Sequence, residues 1–311
     1  MKRLLAPALA LVTAALIGGV ARATMPGSNG LILFQAQAGQ HVQLFTVKPD
    51  GTNVHQLTRY TNSDTVDASW SADGSKIAFE RDFANHAGIY TMNADGTHVR
   101  SLTPTGLQGM PSFSPNGETI VFDRTLPKED ALWTMNADGT HLRRLTHNPR
   151  PTSNKCNCDE VPLFSPNGKQ IAFIETITDL ENAVFVVNAD GTGLKQLTAW
   201  SFGVSHQLDW SPDGSRILIS SPQAERTGTA SNVYTIKPDG TGLTQLTHET
   251  KPGQHDLADS YSPDGTKIIY ARNFGSGEGG FQVWMMNADG TGRHQLTHGV
   301  DAHRARWGAG S

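Results

Sequence analysis

The chain has 311 residues, of which 37% are hydrophobic and 17% charged, with a formal net charge of −4. This mildly acidic balance has no basic footprint, so it argues against nucleic acid and against an anionic lipid surface as partners.

Residues Met1 to Ala23 read as an export signal. Lys2 and Arg3 form a basic start, Leu4 to Val20 is apolar, and Ala21-Arg22-Ala23 is a small-x-small cleavage site. An uncleaved anchor is the alternative reading of the apolar run; Pro7 and the Gly18-Gly19 pair argue for removal. No cysteine follows the site, which argues against a lipid anchor. Cleavage would start the mature chain at Thr24. Losing Lys2, Arg3 and Arg22 would move the net charge from −4 to −7.

From Gly30 onward the sequence repeats. Gly30–Gln35, His41–Val47 and His55–Thr58 read as three strands with no strand before them. Four-strand copies follow over 65–103, 108–146, 159–198, 207–247 and 256–297. A lone strand, His303–Trp307, ends the chain. Each copy opens with an aromatic (Trp70, Phe113, Phe164, Trp210, Tyr261) and a turn such as Ser211-Pro212-Asp213-Gly214. Each carries a second turn in which Asp50, Asp95, Asp138, Asp190, Asp239 or Asp289 is followed by Gly-Thr. Glycine supplies the positive φ that tight hairpins need. Runs of about five apolar residues are too short for stable helices. Spacings of 43 to 52 residues between the second-turn aspartates, with four strands per copy, predict a β-propeller. The expected fold is therefore all-β: a six-bladed β-propeller of four antiparallel strands per blade, forming one domain over residues 24–311. Its ring would be closed by the C-terminal strand joining the three N-terminal strands, which removes free sheet edges.

This order puts the uniform Asp-Gly turns on one face and the variable loops on the other. The variable connections are Phe83–His86, Leu126–Asp130, Asn148–Cys158, Thr178–Asn182, Pro222–Ser231 and Phe274–Gly280. Variable loops on a rigid scaffold are where binding is expected.

The aromatic-Ser-Pro-Asp-Gly and Asn-Ala-Asp-Gly-Thr signatures resemble the WD40-like repeats of the TolB family, over nearly all of the mature chain. The resemblance implies a six-bladed propeller exported to the periplasm or beyond, with a protein or peptide of the cell envelope as partner. It covers the propeller and not the α/β domain that precedes it in TolB. Trp-Asp strand ends of the WD repeat are absent, as is the extra residue of a sialidase Asp box.

Three histidines, His206, His255 and His303, fall near the start of consecutive inner strands, at the variable-face channel mouth. With Gln254, Asp256 or Asp301 they are candidates for a divalent metal. Oligogalacturonate lyase, a similar propeller, arranges histidines and a glutamine around a metal, so a lyase acting on acidic polysaccharide is the alternative function. Against it, His206 and His303 lie four residues before their aromatic and His255 six; polar lining of a wet mouth is the plainer reading. Asp67, Glu160, Asp256, Asp259, Arg304 and Arg306 are candidates for binding a charged peptide, or for internal ion pairs. Trp200 and Phe202, in a variable connection, are candidate recognition residues. Cys156 and Cys158 are a disulfide candidate, favoured by export, in a small strained ring. Arg81, Arg124 and Arg272 end equivalent strands and read as ion-pairing residues, and the strand tryptophans as packing between blades. No Gly-x-Ser-x-Gly elbow, phosphate loop or dinucleotide fingerprint occurs. The expected protein is a non-enzymatic, monomeric binding scaffold with no resident cofactor and no membrane span after signal removal.

Overall fold

The structure is a computed structural model that describes residues 26–103, 106–126, 129–147, 158–178, 181–221, 229–274, 280–299 and 301–310. The leader expected over residues 1–23 lies outside these, as do Cys156 and most of the 148–158 connection. The described residues are all-β and propeller-like, with one short 3-10 turn at Trp200–Phe202. Among them no helix is long and apolar enough to cross a membrane.

The turns supply the local signal. Asp50 Oδ1 accepts hydrogen bonds from the Thr52 backbone N–H at 2.9 Å and from its hydroxyl at 2.6 Å. The same two bonds recur at Asp95, Asp138, Asp190, Asp239 and Asp289. They hold these carboxyls below the usual aspartate range. The other turn is clasped differently. Ser71 Oγ donates to Asp73 Oδ1 at 2.7 Å and accepts from the Lys76 N–H at 2.8 Å. Ser211 and Ser262 do the same with Asp213 and Asp264, and Ser114 and Ser165 with the amide oxygens of Asn116 and Asn167.

Between these turns the strands form antiparallel meanders. One is β4 (Asp64–Trp70), β5 (Lys76–Phe83), β6 (His86–Asn93) and β7 (Arg100–Ser101). The pattern repeats from β8 (Leu107–Phe113), from β12 (Cys158–Phe164), from β16 (Leu208–Trp210) and from β20 (His255–Tyr261). The last strand of each set is only two residues long, shorter than the sequence suggested. A threonine hydroxyl takes over the ladder beyond it. Thr103 Oγ1 accepts from the Ile89 N–H at 2.8 Å, and Thr58, Thr146, Thr198, Thr247 and Thr297 repeat the bond. The outer edge therefore ends early, with its neighbour's donor satisfied.

The chain ends meet. β24 (Ala302–Ala309) runs antiparallel to β1 (Asn29–Ala38), with Ile32 opposite Trp307 and Gln35 opposite His303. β1 in turn pairs with β2 (His41–Val47), and β2 with β3 (His55–Gln56). The final strand runs two residues past Trp307, to Ala309 opposite Asn29. Successive residues of β1 then face different neighbours. Ile32 and Phe34 pack with Ile269, Val283 and Met285 of the preceding set. Leu33 packs with Ile77, Phe79 and Met92 of the following one. Alternation with both faces apolar is what a strand buried on two sides requires.

Neighbouring sets touch through their inner strands and through their turns. The first strands are in contact in the order β4, β8, β12, β16, β20, β24 and back to β4. On the turn side, a Cβ on Gly96 would lie 3.1 Å from the Leu57 carbonyl oxygen, one on Gly290 2.7 Å from that of Leu246, and one on Gly51 2.9 Å from that of Leu296. Gly139, Gly191 and Gly240 abut Leu102, Leu145 and Leu197 in the same way. Trp70 Nε1 donates to the Arg306 carbonyl at 3.1 Å and Trp210 Nε1 to that of Leu163 at 3.1 Å, so these rings serve packing between sets.

Gly51 and Gly117 both have positive φ, but nothing lies within 4 Å of a Gly117 Cβ. Alanine at either position strains the backbone by about 1 kcal/mol. Gly51→Ala also drives the turn against Leu296, so it should lower the melting temperature clearly more than Gly117→Ala. Equal losses by differential scanning calorimetry would contradict this contact.

Candidate binding site at the inner-strand mouth

The inner strands do not run straight. Register shifts occur between Val66 and Ser69, Gly109 and Ser112, Glu160 and Leu163, and Ala258 and Ser260. Asp67, Met110, Val161 and Arg304 take left-handed φ values of 50°, 49°, 55° and 52°. For the β-branched Val161 this is an outlier that surrounding packing must hold. Bulges of this kind re-aim side chains, and here they turn residues toward a common centre.

At that centre Arg304 Nη1 donates to Asp67 Oδ1 in a short ion pair. Arg306 Nη1 donates to the Leu208 carbonyl at 3.1 Å and also to the Asp259 carbonyl, joining three inner strands. What remains is a void of about 30 Å³ lined by Asp67, Met110, Val161, His206, Arg304 and Arg306. That is room for roughly one water, so little space is left between the inner strands at this level.

The mouth lies at the variable-loop end. His206 Nδ1 is 2.7 Å from Glu160 Oε2. His303 Nε2 is 3.1 Å from Gln35 Nε2, and Gln35 Oε1 accepts from the Asp67 N–H at 3.0 Å. Phe281 stands between His255 and His303, with ring centroids 6.3 and 6.0 Å away. Asp301 Oδ1 anchors the Phe281 N–H at 2.7 Å. His206 is thus engaged with a different strand from the His255–Phe281–His303 row. Among the described residues, no three His, Cys, Asp or Glu side chains are grouped as metal ligands.

Other candidates lie elsewhere. Asp256 is fully buried, with its two oxygens 2.6 and 2.7 Å from Arg272 Nε and Nη2. Arg272 also binds Glu249, so Asp256 belongs to an internal lock. Asp259 is likewise buried, and its side chain offers nothing at the surface. Trp200 packs on Phe185 at 5.5 Å and Phe202 edge-on to Tyr234 at 5.3 Å. The two rings belong to different core clusters, and both stay partly exposed. Arg81 lies 3.6 Å over the Tyr60 ring and Arg124 4.9 Å over Trp133, a cation–π role; of the three strand-end arginines, Arg272 carries the ion pair. Cys158 is disulfide-bonded; the other cysteine in the sequence, Cys156, is outside the described residues.

Gln35, Glu80, Asp123 and Phe281 were not singled out from the sequence. A signal existed for the acids. Three residues beyond Ile32, Ile77, Ile120, Ile171, Ile217 and Ile268 stand Gln35, Glu80, Asp123, Ile174, Ser220 and Ala271. This inward position is acidic in two adjacent copies only. Burial comes first in pushing Asp123 up to about 8, with Glu160, Asp67 and Asp130 adding repulsion. Glu80 is raised well above the glutamate range by burial, then by Asp67 and Asp123. Burial likewise raises Asp159 and Asp259 to about 7.

A carboxyl whose folded pKa exceeds its unfolded value adds stability while protonated and loses it as pH climbs through the folded value. The melting temperature should therefore fall between about pH 5 and pH 8.5, the window set by the raised values near 7 and 8. The turn aspartates act only below their ordinary range and leave this window alone. Asp123→Asn should flatten the decline; an unchanged slope in calorimetric scans would contradict the assignment.

Comparison with known proteins agrees with this architecture. The profile described as the TolB beta propeller domain matches residues 21–155 and 146–308. The chain is similar to the crystal structure of TolB from Acinetobacter baumannii, with 19% identity, a TM-score of 0.70, and coverage of 90% of this chain and 67% of that one. It is also similar to hydrazine synthase of Kuenenia stuttgartiensis (14% identity, TM-score 0.69, 91% and 47% covered). Oligogalacturonate lyase from Vibrio parahaemolyticus is a further match (13%, TM-score 0.54, 88% and 77% covered). Likeness at these identities concerns the fold. With both family matches together spanning nearly all of the repeat, the chain belongs to the TolB beta-propeller family.

Proposed function

We propose that this chain is an exported, non-catalytic binding scaffold of the cell envelope, a six-bladed ring that takes a protein or peptide at the variable-loop mouth. The cyclic order of inner-strand contacts and the β24–β1 pairing support reading the sets as six blades of a closed ring. Membership of the TolB family supports export and protein binding. In this reading residues 1–23 are removed, leaving a monomer with no resident cofactor.

The observations that carry the site are the His255–Phe281–His303 row and the His206–Glu160 pair, two separate groups at one end of bulged, cross-braced strands. Such a mouth offers aromatic faces and polar groups on a rigid frame, the mix found at interface hot spots. The lyase reading through His206, His255 and His303 draws no support from their geometry, since His206 turns to Glu160 and His303 to Gln35.

Substitution should spare Arg304, because removing it strands Asp67 as a half-buried unpaired charge. Instead, His206, Phe281 and His303 are changed together to alanine. The native chain, immobilised and exposed to an envelope extract, should retain a defined set of proteins that the triple variant loses while keeping its circular dichroism spectrum. Retention of the same proteins by both would place binding elsewhere.

A further inference from the structure

Beside the mouth the inner strands leave an open cavity of about 420 Å³. Its volume falls in the range of ligand pockets. Four carboxyl side chains line it: Asp67, Glu80, Asp82 and Asp123. Arg304 is the one guanidinium or ammonium group in that lining, and it is committed to Asp67. His303 stands at the edge, held by Gln35.

The acids converge over bare backbone. A Cβ on Gly109 would lie 2.3 Å from Glu80 Oε2 and 3.4 Å from Asp123 Oδ1, so only glycine lets the two approach here. Glu80 Oε2 accepts one long bond, from the Met110 N–H at 3.3 Å. Asp123 Oδ1 is a buried oxygen with no hydrogen-bond partner, on a residue that lines the cavity. An acceptor withdrawn from water and left unpaired is costly. Repeat inheritance does not account for it, since the equivalent positions hold Ile174, Ser220 and Ala271.

The geometry points to this cavity as the receptor for the ammonium or guanidinium group of a lysine or arginine side chain presented by a protein partner. The inference rests on the mouth being a peptide site. A basic side chain brings donors, three from lysine or five from arginine, and a positive charge that favours the ionised form of the crowded carboxyls. Asp67, Asp82 and Asp123 face Glu80, while Glu160, Asp67 and Asp130 face Asp123, with Arg304 as the sole lining countercharge. A metal would need a tighter donor group than the described residues provide.

The test is calorimetric titration of the full chain at low salt with three capped pentapeptides, Gly-Gly-X-Gly-Gly, where X is arginine, lysine or norleucine. Spermidine serves as a fourth titrant. The basic peptides should bind at least about tenfold more tightly than the norleucine peptide, and Glu80→Gln with Asp123→Asn should erase that preference. Equal binding of norleucine, no binding of any peptide, or an undiminished preference in the double variant would each overturn the inference. Spermidine binding more tightly than both basic peptides would assign the cavity to a free polyamine and overturn it as well. If the extract proteins captured at the mouth persist in the double variant but vanish with His206, Phe281 and His303, the mouth reading survives and the cavity reading fails.

Discussion

A four-stranded sheet with two apolar faces cannot stand alone in water; each face must be covered by another such sheet. That constraint governs this chain. β1 shows it most plainly, with Ile32 and Phe34 packed toward one neighbour and Leu33 toward the other. Sheets can stack this closely only where turns fit under the adjoining strand. The Asp-Gly-Thr turns meet the condition, because their glycines sit about 3 Å, in Cβ terms, from a leucine carbonyl of the preceding set. In the proposed ring the first and last strands are therefore structural parts of one sheet, and neither terminus is free to move without exposing its neighbours' faces.

The same stacking brings the inner strands to an axis, and the bulges decide what points there. Asp67, Arg304 and Arg306 brace the centre and leave little space there. In the proposed function, binding is left to the rim, where His255 and His303 stand on strands and His206 and Phe281 on the connections leading into strands. A scaffold of this kind recognises by preorganisation, since little ordering is required of it on binding. The acids beside the rim are crowded together with Arg304 as the one lining countercharge, and crowding of that sort invites a partner's charge.

Much of the fold was legible because its signals are local. Turn chemistry at Asp50-Gly51-Thr52 and Ser211-Pro212-Asp213-Gly214 is written in adjacent residues, and the unmatched strands at the two ends announce each other. The lengths of the last strand in each set were not legible, because a threonine hydroxyl substitutes for the ladder at positions such as Thr103. The site was legible only in part. Asp67 and Arg304 lie at the centre, and His206 and His303 at the mouth beside it. Asp256 and Asp259 do not reach the surface: Asp256 is locked to Arg272, and Asp259 sits at the bulge between Ala258 and Ser260, which changes which residues face inward. Counting by twos cannot detect a bulge. Trp200 and Phe202 looked like surface anchors because their loop is variable; in three dimensions that loop forms a short turn whose rings pack on Phe185 and Tyr234.

The account stands on β24 completing the sheet that β1 begins. Native-state hydrogen exchange read by mass spectrometry tests this directly, since exchange of a core strand follows global opening while a loose end exchanges at once. Peptides covering 30–36 and 303–308 should be protected to the same extent as internal strands such as 77–81 and 171–175. Rapid exchange in both terminal peptides, with the internal strands still protected, would contradict the account.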